Sequence, residues 1–245
     1  MGKIRLDKLL LQRGLAPSRQ RAQALILAGS VLVDGTPQSK AGALVAEEAQ
    51  LAIRGQDMPY VSRGGLKLAG ALDTFCIAVN GLYCLDVGAS TGGFTDCLLQ
   101  RGAAWVAALD VGYGQLAWKL RTDERVFVME RTNARNLAPN ALPFLCDLAV
   151  IDVSFISLTL ILPAVKGQLK PNAKILAMVK PQFEAGRQQV GKKGVVKSLE
   201  VRQETVDKVA CFAEGIGFVE TGRVDSPIAG PQGNLEVFLL LEQKL

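Results

Sequence analysis

The chain contains no histidine. That absence removes the Ser-His-Asp triad, the Cys-His dyad and histidine-ligated metal centres from the chemistry open to it. Cysteine is sparse: Cys76, Cys84, Cys97, Cys146 and Cys211 are scattered, and none stands in a C-x-x-C pair. An odd, dispersed set fits reduced core thiols in a cytoplasmic protein, with no disulfide framework. No metal is expected. Long apolar runs are missing too. The most apolar stretch, Leu148 to Val165, is interrupted by Asp152 and contains Pro163, too short and too polar for a membrane span. The charged amino terminus has no apolar core and does not read as a signal peptide. Aromatic residues make up only 6% of the chain, too few to suggest a platform for stacking bases. With no heptad pattern and no exposed apolar stripe, a monomer is expected.

What is present is enough for a full core. The chain has 245 residues, 49% of them hydrophobic, which excludes a disordered protein and allows one medium domain plus a small one. The net charge of +5 is unevenly placed. Residues 1–30 carry Lys3, Arg5, Lys8, Arg13, Arg19 and Arg21 against Asp7 alone, a balance that equals the charge of the whole chain. A basic block at one end suggests a polyanionic partner.

Residues 1–58 read as a small module. Leu6, Leu9 and Leu10, then Leu25, Ile26 and Leu27, suggest two short helices, with Ser18 as N-cap of the second. Val31-Leu32-Val33 before Asp34-Gly35 reads as a strand and hairpin turn, and Leu51-Ala52-Ile53 as a closing strand. Asp57-Met58-Pro59-Tyr60 marks the boundary. Residues 59–245 form the second domain. From about residue 82, strands near 82–86, 105–109, 126–129, 148–152, 173–179, 217–224 and 235–241 alternate with helical patterns at 93–101, 115–121, 156–166 and 199–214. The fold class expected is α/β: a mostly parallel Rossmann-like sheet with an antiparallel edge, preceded by a small α+β domain. Gly186 to Lys197 reads as a mobile basic loop.

The segment Leu85-Asp86-Val87-Gly88-Ala89-Ser90-Thr91-Gly92-Gly93-Phe94 runs from an apolar strand through an acid into a glycine-rich turn that opens a helix. Glycines let backbone approach a ligand closely, and the helix start offers free N–H groups. The next strand, Trp105 to Leu109, also ends in an acid, Asp110, placed to accept from ribose hydroxyls. The turn is neither a P-loop nor G-x-G-x-x-G, so a nucleoside site is indicated, with a dehydrogenase as the nearest competitor. Two further strands end in Asp152 and Lys180. Ligands of open parallel sheets bind beyond the carboxyl ends of the strands, so both should face the crevice of Asp86. Such a lysine is a candidate general base or an anchor for a developing alkoxide.

These segments carry a resemblance. Asp86 to Thr95, Leu109 to Leu116, Glu130 to Arg135, Asp152 to Leu158, Lys180 to Glu184 and Gly233 to Glu236 resemble the TlyA family, whose members are S-adenosylmethionine-dependent rRNA 2′-O-methyltransferases with an FtsJ-like catalytic domain. Many carry the older label haemolysin. The first module, with Arg5-Leu6-Asp7, Ser18-Arg19 and Gly29-Ser30-Val31, resembles the RNA-binding domain of small-subunit ribosomal protein four. The resemblance implies a Lys-Asp-Lys-Glu tetrad at Lys67, Asp152, Lys180 and Glu236. Lys180 would take the ribose proton, Lys67 would stabilise the oxygen, and the two acids would hold the lysines. Lys67 is the weakest of the four, because it lies past a Gly-Gly turn and reads equally as a solvated helix lysine. The cofactor would touch Asp86, Gly88, Ala89, Ser90, Gly92, Gly93, Phe94, Asp110, Val111, Thr132, Asn133 and Asp152. Phe94 reads more readily as ordinary packing. Arg5, Arg13, Arg19, Arg21 and Arg63 would hold RNA phosphates. The resemblance points to ribosomal RNA or ribosomal subunits as partner, a cytidine ribose as acceptor, a cytoplasmic location and no membrane. The alternatives are an RNA-binding assembly factor without turnover and a membrane-active haemolysin.

Overall fold

The computed structural model describes residues 2–16, 18–54, 58–230 and 232–244. Asp57 of the boundary segment lies outside the described residues. The chain divides into two compact units, Met1–Met58 and Pro59–Leu245.

The first unit contains β1 (Lys3–Arg5), α1 (Leu6–Gln12), α2 (Arg19–Leu27), β2 (Val31–Val33), β3 (Thr36–Gln38), β4 (Leu44–Ala46) and β5 (Leu51–Ile53). Ser18 caps α2 by accepting from Arg21 N–H at 3.2 Å. β2 pairs with both β3 and β5, while β1 pairs with β4. The β1–β4 ribbon has no sequence signal because its strands are three residues long and lie far apart in the chain. Leu6, Leu10, Ala22, Leu25, Ile26 and Val31 form the core, but Leu27 faces out at 71% exposure.

One buried acid organises the basic face. Asp7 is fully buried and accepts from Arg5 Nε and Nη2 at 3.0 Å, Arg19 Nε at 3.0 Å and Gln23 Nε2 at 3.1 Å. The hydrogen bonds from Arg5 hold its carboxyl well below the usual range, against the opposing effect of burial. A depressed native pKa adds stability above the unfolded value and loses it as pH falls. Asp7→Ala should therefore cost this unit about 1–3 kcal/mol at pH 7, discounted because both arginines are half exposed. Hydrogen exchange in residues 5–27 is the readout. Protection in the native protein should fall progressively as pH drops below about 4, and the variant should show a flatter response.

The second unit is a seven-stranded sheet, ordered β11-β12-β10-β9-β6-β7-β8. Its strands are β6 (Tyr83–Val87), β7 (Trp105–Leu109), β8 (Val126–Met129), β9 (Cys146–Ile151), β10 (Leu169–Val179), β11 (Phe218–Asp225) and β12 (Val237–Gln243). The first five pair in parallel; β12 inserts antiparallel between β10 and β11. The expected mostly parallel sheet with an antiparallel edge is what forms. Side-chain alternation divides the core between the two faces. Leu85, Val87, Ala149, Ile151, Ile175 and Ala177 belong to one face, and Cys84, Leu148, Val150, Leu176 and Met178 to the other.

The helices are α3 (Arg63–Thr74), α4 (Gly93–Gln100), α5 (Trp118–Arg121), α6 (Leu162–Lys166), α7 (Pro181–Glu184) and α8 (Leu199–Gly215). The pattern over 115–121 yields helix only from Trp118. The pattern over 156–166 breaks into a 3-10 turn at Leu158–Leu160 and then α6, with Pro163 in its first turn. α3 is the helix the periodicity reading does not pick out. It packs Leu68, Ala71 and Leu72 into the core despite its opening Arg-Gly-Gly. The basic segment 186–197 contains a 3-10 turn at Arg187–Gln189 and is tied down by Asn234, which donates to Gly194 O at 2.8 Å and accepts from Val196 N–H at 3.0 Å.

Candidate active site

The strand order reverses at β6: the chain continues to β7 and β8 on one side and returns to β9 and β10 on the other. The carboxyl ends of these strands open a crevice at that switch point. Asp152 N–H donates to Val87 O at 2.9 Å, so the ends of β6 and β9 stay locked side by side. Gly88 has φ +88°, and a Cβ there would strike the Asp152 carbonyl oxygen. Gly93 is needed for a second close approach, because a Cβ would strike Ser62 Oγ just ahead of α3. The glycine turn thus makes two backbone contacts that larger residues would block.

Three cavities adjoin here, of about 390, 480 and 440 Å³. The first runs between the glycine turn and the start of α3, past Gly88, Ala89, Gly93, Phe94, Arg63 and Lys67. The second lies over Asp110, Val111, Gln115 and Asn133. The third is walled by Lys67, Lys180, Glu236, Gln182, Phe183 and Phe155. Asp152 is the one residue common to all three.

The cofactor residues fall into two groups. Gly88, Ala89, Ser90, Gly93, Phe94, Asp110, Val111, Asn133 and Asp152 line the first two cavities. Asp86, Gly92 and Thr132 do not. Asp86 is fully buried beneath the turn, where its Oδ2 accepts from Thr95 N–H at 2.9 Å and Thr95 Oγ1 at 2.7 Å and so ties α4 to β6. Its Oδ1 is buried without a hydrogen-bond partner. Burial, reinforced by Asp152 and Asp110, raises its pKa to about 7. Gly92 is the left-handed N-cap of α4, and Thr132 N–H donates to Asp110 O at 3.0 Å. Asp110 is held by Ser90 N–H at 2.8 Å and Gly112 N–H at 2.6 Å. Phe94 is buried against Phe238, with ring centroids 6.1 Å apart, so it serves packing while its edge meets the first cavity.

The four tetrad positions converge on the third cavity as two ion pairs. Lys67 Nζ donates to Glu236 Oε2 at 2.5 Å, and both side chains are buried. Lys67 is therefore no solvated helix lysine: α3 carries it inward on its core-facing side. Lys180, the N-cap of α7, places Nζ 2.5 Å from Asp152 Oδ1 and donates to Ser154 Oγ at 2.9 Å. The Asp152 contact is an ion pair, while the hydrogen bond of Lys180 goes to Ser154. An ammonium has three donor positions, and these two partners leave room for a third.

The sequence reading missed the cavity's aromatic wall. Phe155 is 90% exposed, has φ +64° and stands 4.9 Å from the Phe183 ring. An exposed phenylalanine in left-handed backbone is an uncommon arrangement. Its only sequence signal is its place just after Asp152. Of the proposed RNA contacts, Arg63 lines the first cavity and reaches Ala229 O at 3.5 Å. In the first unit, Arg5 and Arg19 share Asp7, Arg13 donates to Ala49 O at 2.8 Å, and Arg21 sits in the first turn of α2.

A parallel sheet with an antiparallel β12 inserted at one edge, and acids at the ends of β6, β7 and β9, defines a Rossmann-like methyltransferase. Comparison with known proteins agrees. Residues 60–244 match the family FtsJ-like methyltransferase and residues 4–51 the S4 domain. The chain is 52% identical over 240 residues, 98% of its length and 90% of the relative's, to the 16S/23S rRNA (cytidine-2′-O)-methyltransferase TlyA of Mycobacterium tuberculosis. It is 40% identical to Hemolysin A of Brachyspira hyodysenteriae, covering 95% of this chain and 97% of that one. A solved hemolysin-named protein from Streptococcus thermophilus superposes with TM-score 0.78 at 44% identity, covering 100% and 90% of the two chains. The chain belongs to the TlyA family of FtsJ-like methyltransferases with an amino-terminal S4 domain.

Proposed function

We propose that this protein transfers a methyl group from S-adenosylmethionine to a ribose 2′-hydroxyl of ribosomal RNA, on a cytidine as in the named activity of its relatives. The observation that carries this reading is the meeting of the two lysine–carboxylate pairs in one cavity that Asp152 joins to the glycine-turn grooves.

The residues present suit the cofactor. Two glycines leave a cradle that a Cβ would fill, Asp110 is fixed for ribose hydroxyls, and Asp86 keeps an unpartnered oxygen under the turn. When bound, S-adenosylmethionine supplies an already activated methyl group. The chain's part is to bind, align and move a proton. A ribose hydroxyl is a poor nucleophile until its proton is withdrawn. Lys180, as the neutral amine, is the group to accept that proton, and it becomes the ammonium that Asp152 and Ser154 hold. Lys67, fixed by Glu236, offsets negative charge on the oxygen. The exposed Phe155 face gives the nucleobase an apolar surface. The S4 unit and Arg63 hold phosphates, which set affinity more than sequence choice. In this reading the working unit is a monomer, acting on ribosomes in the cytoplasm.

The test is transfer of a labelled methyl group from S-adenosylmethionine to unmodified ribosomal subunits, followed by mapping of the modified ribose. Label on a base, or none on RNA, would overturn the proposal. The hemolysin names on relatives raise a second reading. Among the described residues no helix is long and apolar enough to cross a membrane. Leakage of dye-loaded vesicles caused by the pure protein would favour that reading.

A second prediction concerns Asp86. With its pKa near 7, it is about half protonated at neutral pH. A bound ligand of net positive charge favours the carboxylate, so cofactor binding at pH 7 should release up to about half a proton. Calorimetry in two buffers of different ionisation enthalpy measures this. Release should fade at pH 8.5 and vanish in Asp86→Asn.

A further inference from the structure

Glu184 is a buried carboxylate that the proposed chemistry does not use. It ends α7, the one-turn helix that Lys180 caps. Its side chain is 1% exposed and spans to the loop after β9. Oε2 accepts from Ser157 Oγ at 2.6 Å, and Oε1 accepts from Leu158 N–H at 2.7 Å. Burial pushes its pKa up, while these two donors and Lys208 oppose the rise.

Its position matters because of what the two joined segments carry. The loop from Asp152 to Ser157 holds Asp152, Ser154 and Phe155. The segment from Lys180 to Glu184 holds Lys180, Gln182 and Phe183. All six line the third cavity. At the cavity the segments meet through Lys180–Asp152, Lys180–Ser154 and the paired rings. At the back they meet through Glu184, which holds Ser157 and Leu158. On the far side, Lys208 of α8 donates to the Glu184 carbonyl at 2.9 Å, with its Nζ 3.8 Å from Oε2. The longer ionic contact is the weaker restraint, and Lys208 is half exposed.

We propose that Glu184 is a positioning residue. Its two-pronged bond to Ser157 and Leu158 sets the separation of the Lys180 turn from the Asp152–Phe155 loop, and with it the register of lysine, carboxylate and aromatic wall around the acceptor ribose. This rests on the proposed ribose methylation. Reach and acceptor geometry carry the role; negative charge does not. A glutamine of the same length keeps an oxygen for Leu158 N–H and can donate to Ser157 Oγ. An aspartate keeps the charge but is one methylene too short to hold both partners.

The experiment compares wild type with Glu184→Gln, Glu184→Asp and Ser157→Ala in the full-length chain. It measures kcat and KM for ribosomal subunits, and S-adenosylhomocysteine affinity by calorimetry. Glu184→Gln should stay within about threefold of wild type in kcat. Glu184→Asp should lose about tenfold or more, and Ser157→Ala, which removes one prong together with the Ser157 cap on Thr159 N–H, about threefold to tenfold. KM for subunits and S-adenosylhomocysteine affinity should stay within about twofold throughout. If Glu184→Asp outperforms Glu184→Gln, charge against Lys208 is what matters and the proposal falls. It also falls if all three variants match wild type, or if lost kcat comes with lost S-adenosylhomocysteine binding, which marks general unfolding. Should Glu184→Asp not fold, Glu184→Gln near wild type with Ser157→Ala reduced supports the proposal, and a tenfold loss in Glu184→Gln overturns it. Failure of the underlying reading looks different: wild type would not methylate, or Lys180→Ala would stay active.

Discussion

Lys180→Ala should lower single-turnover methyl transfer to ribosomal subunits about 10²–10⁴-fold, the range expected when a positioned proton acceptor is removed. The loss should fall on kcat. Lys180 lines the third cavity only, so S-adenosylhomocysteine binding over Asp110 and Asn133 should hold within about twofold. Binding to subunits should hold as well, because phosphate contacts are assigned to other residues. Rapid-quench assays with enzyme in excess, paired with calorimetry, separate the two effects. The variant should also remain folded. Lys180 is not sealed in the core, and its loss frees Asp152 toward a cavity that admits water. Activity within about threefold of wild type would remove Lys180 from the chemistry and favour an RNA-binding factor without turnover.

The Lys67–Glu236 pair should behave otherwise, because it is buried on both sides. Removing one member of a buried pair strands the other charge, which typically costs about 3–5 kcal/mol. Glu236→Ala should therefore lose both activity and stability, seen as a lowered urea midpoint followed by Trp105 and Trp118 fluorescence. Lys67→Met combined with Glu236→Leu removes both charges, and replacing a buried pair with apolar groups is often neutral. The double variant should regain most of the lost stability and none of the lost methyl transfer. Recovery of activity with stability would reduce the pair to a structural brace. No loss of stability in Glu236→Ala would contradict the buried geometry.

Much of the architecture is readable in the sequence because its signals are local. The run from Leu85 to Phe94 shows strand, acid, glycine turn and helix within ten positions, and β7 repeats the strand–acid step about twenty residues later. Ser18 declares the start of α2 in the same local way. Where local signals conflict, reading fails. α3 opens with glycines that argue against a helix, yet Gly65 is what lets the helix lie against Tyr60, where a Cβ would strike the ring. Its weak local propensity is overridden by the packing of Leu68 and Leu72.

The candidate site divides along the same line. Lys180 and Asp152 are legible because each ends a strand. Lys67 is named only by family resemblance, and its inward orientation by nothing in the sequence. The aromatic wall is missed altogether. Composition argued against a stacking surface, but two phenylalanines on separate loops suffice once the fold sets their rings 4.9 Å apart. The same holds for the first unit, where a count of positive residues says nothing of Asp7 lying among Arg5, Arg19 and Gln23.

The sequence by itself determined which strands of the parallel sheet form, about where each ends and which chemical groups stand at those ends. Hydrophobic alternation and glycine turns act over a few residues and need no distant partner. The tertiary structure alone decided that Lys67 meets Glu236, that Lys180 meets Asp152 and that Glu184 reaches Ser157. Those pairings join residues far apart in the chain. Their geometry exists only after the parallel strands stack in one order and α3 closes over the glycine turn.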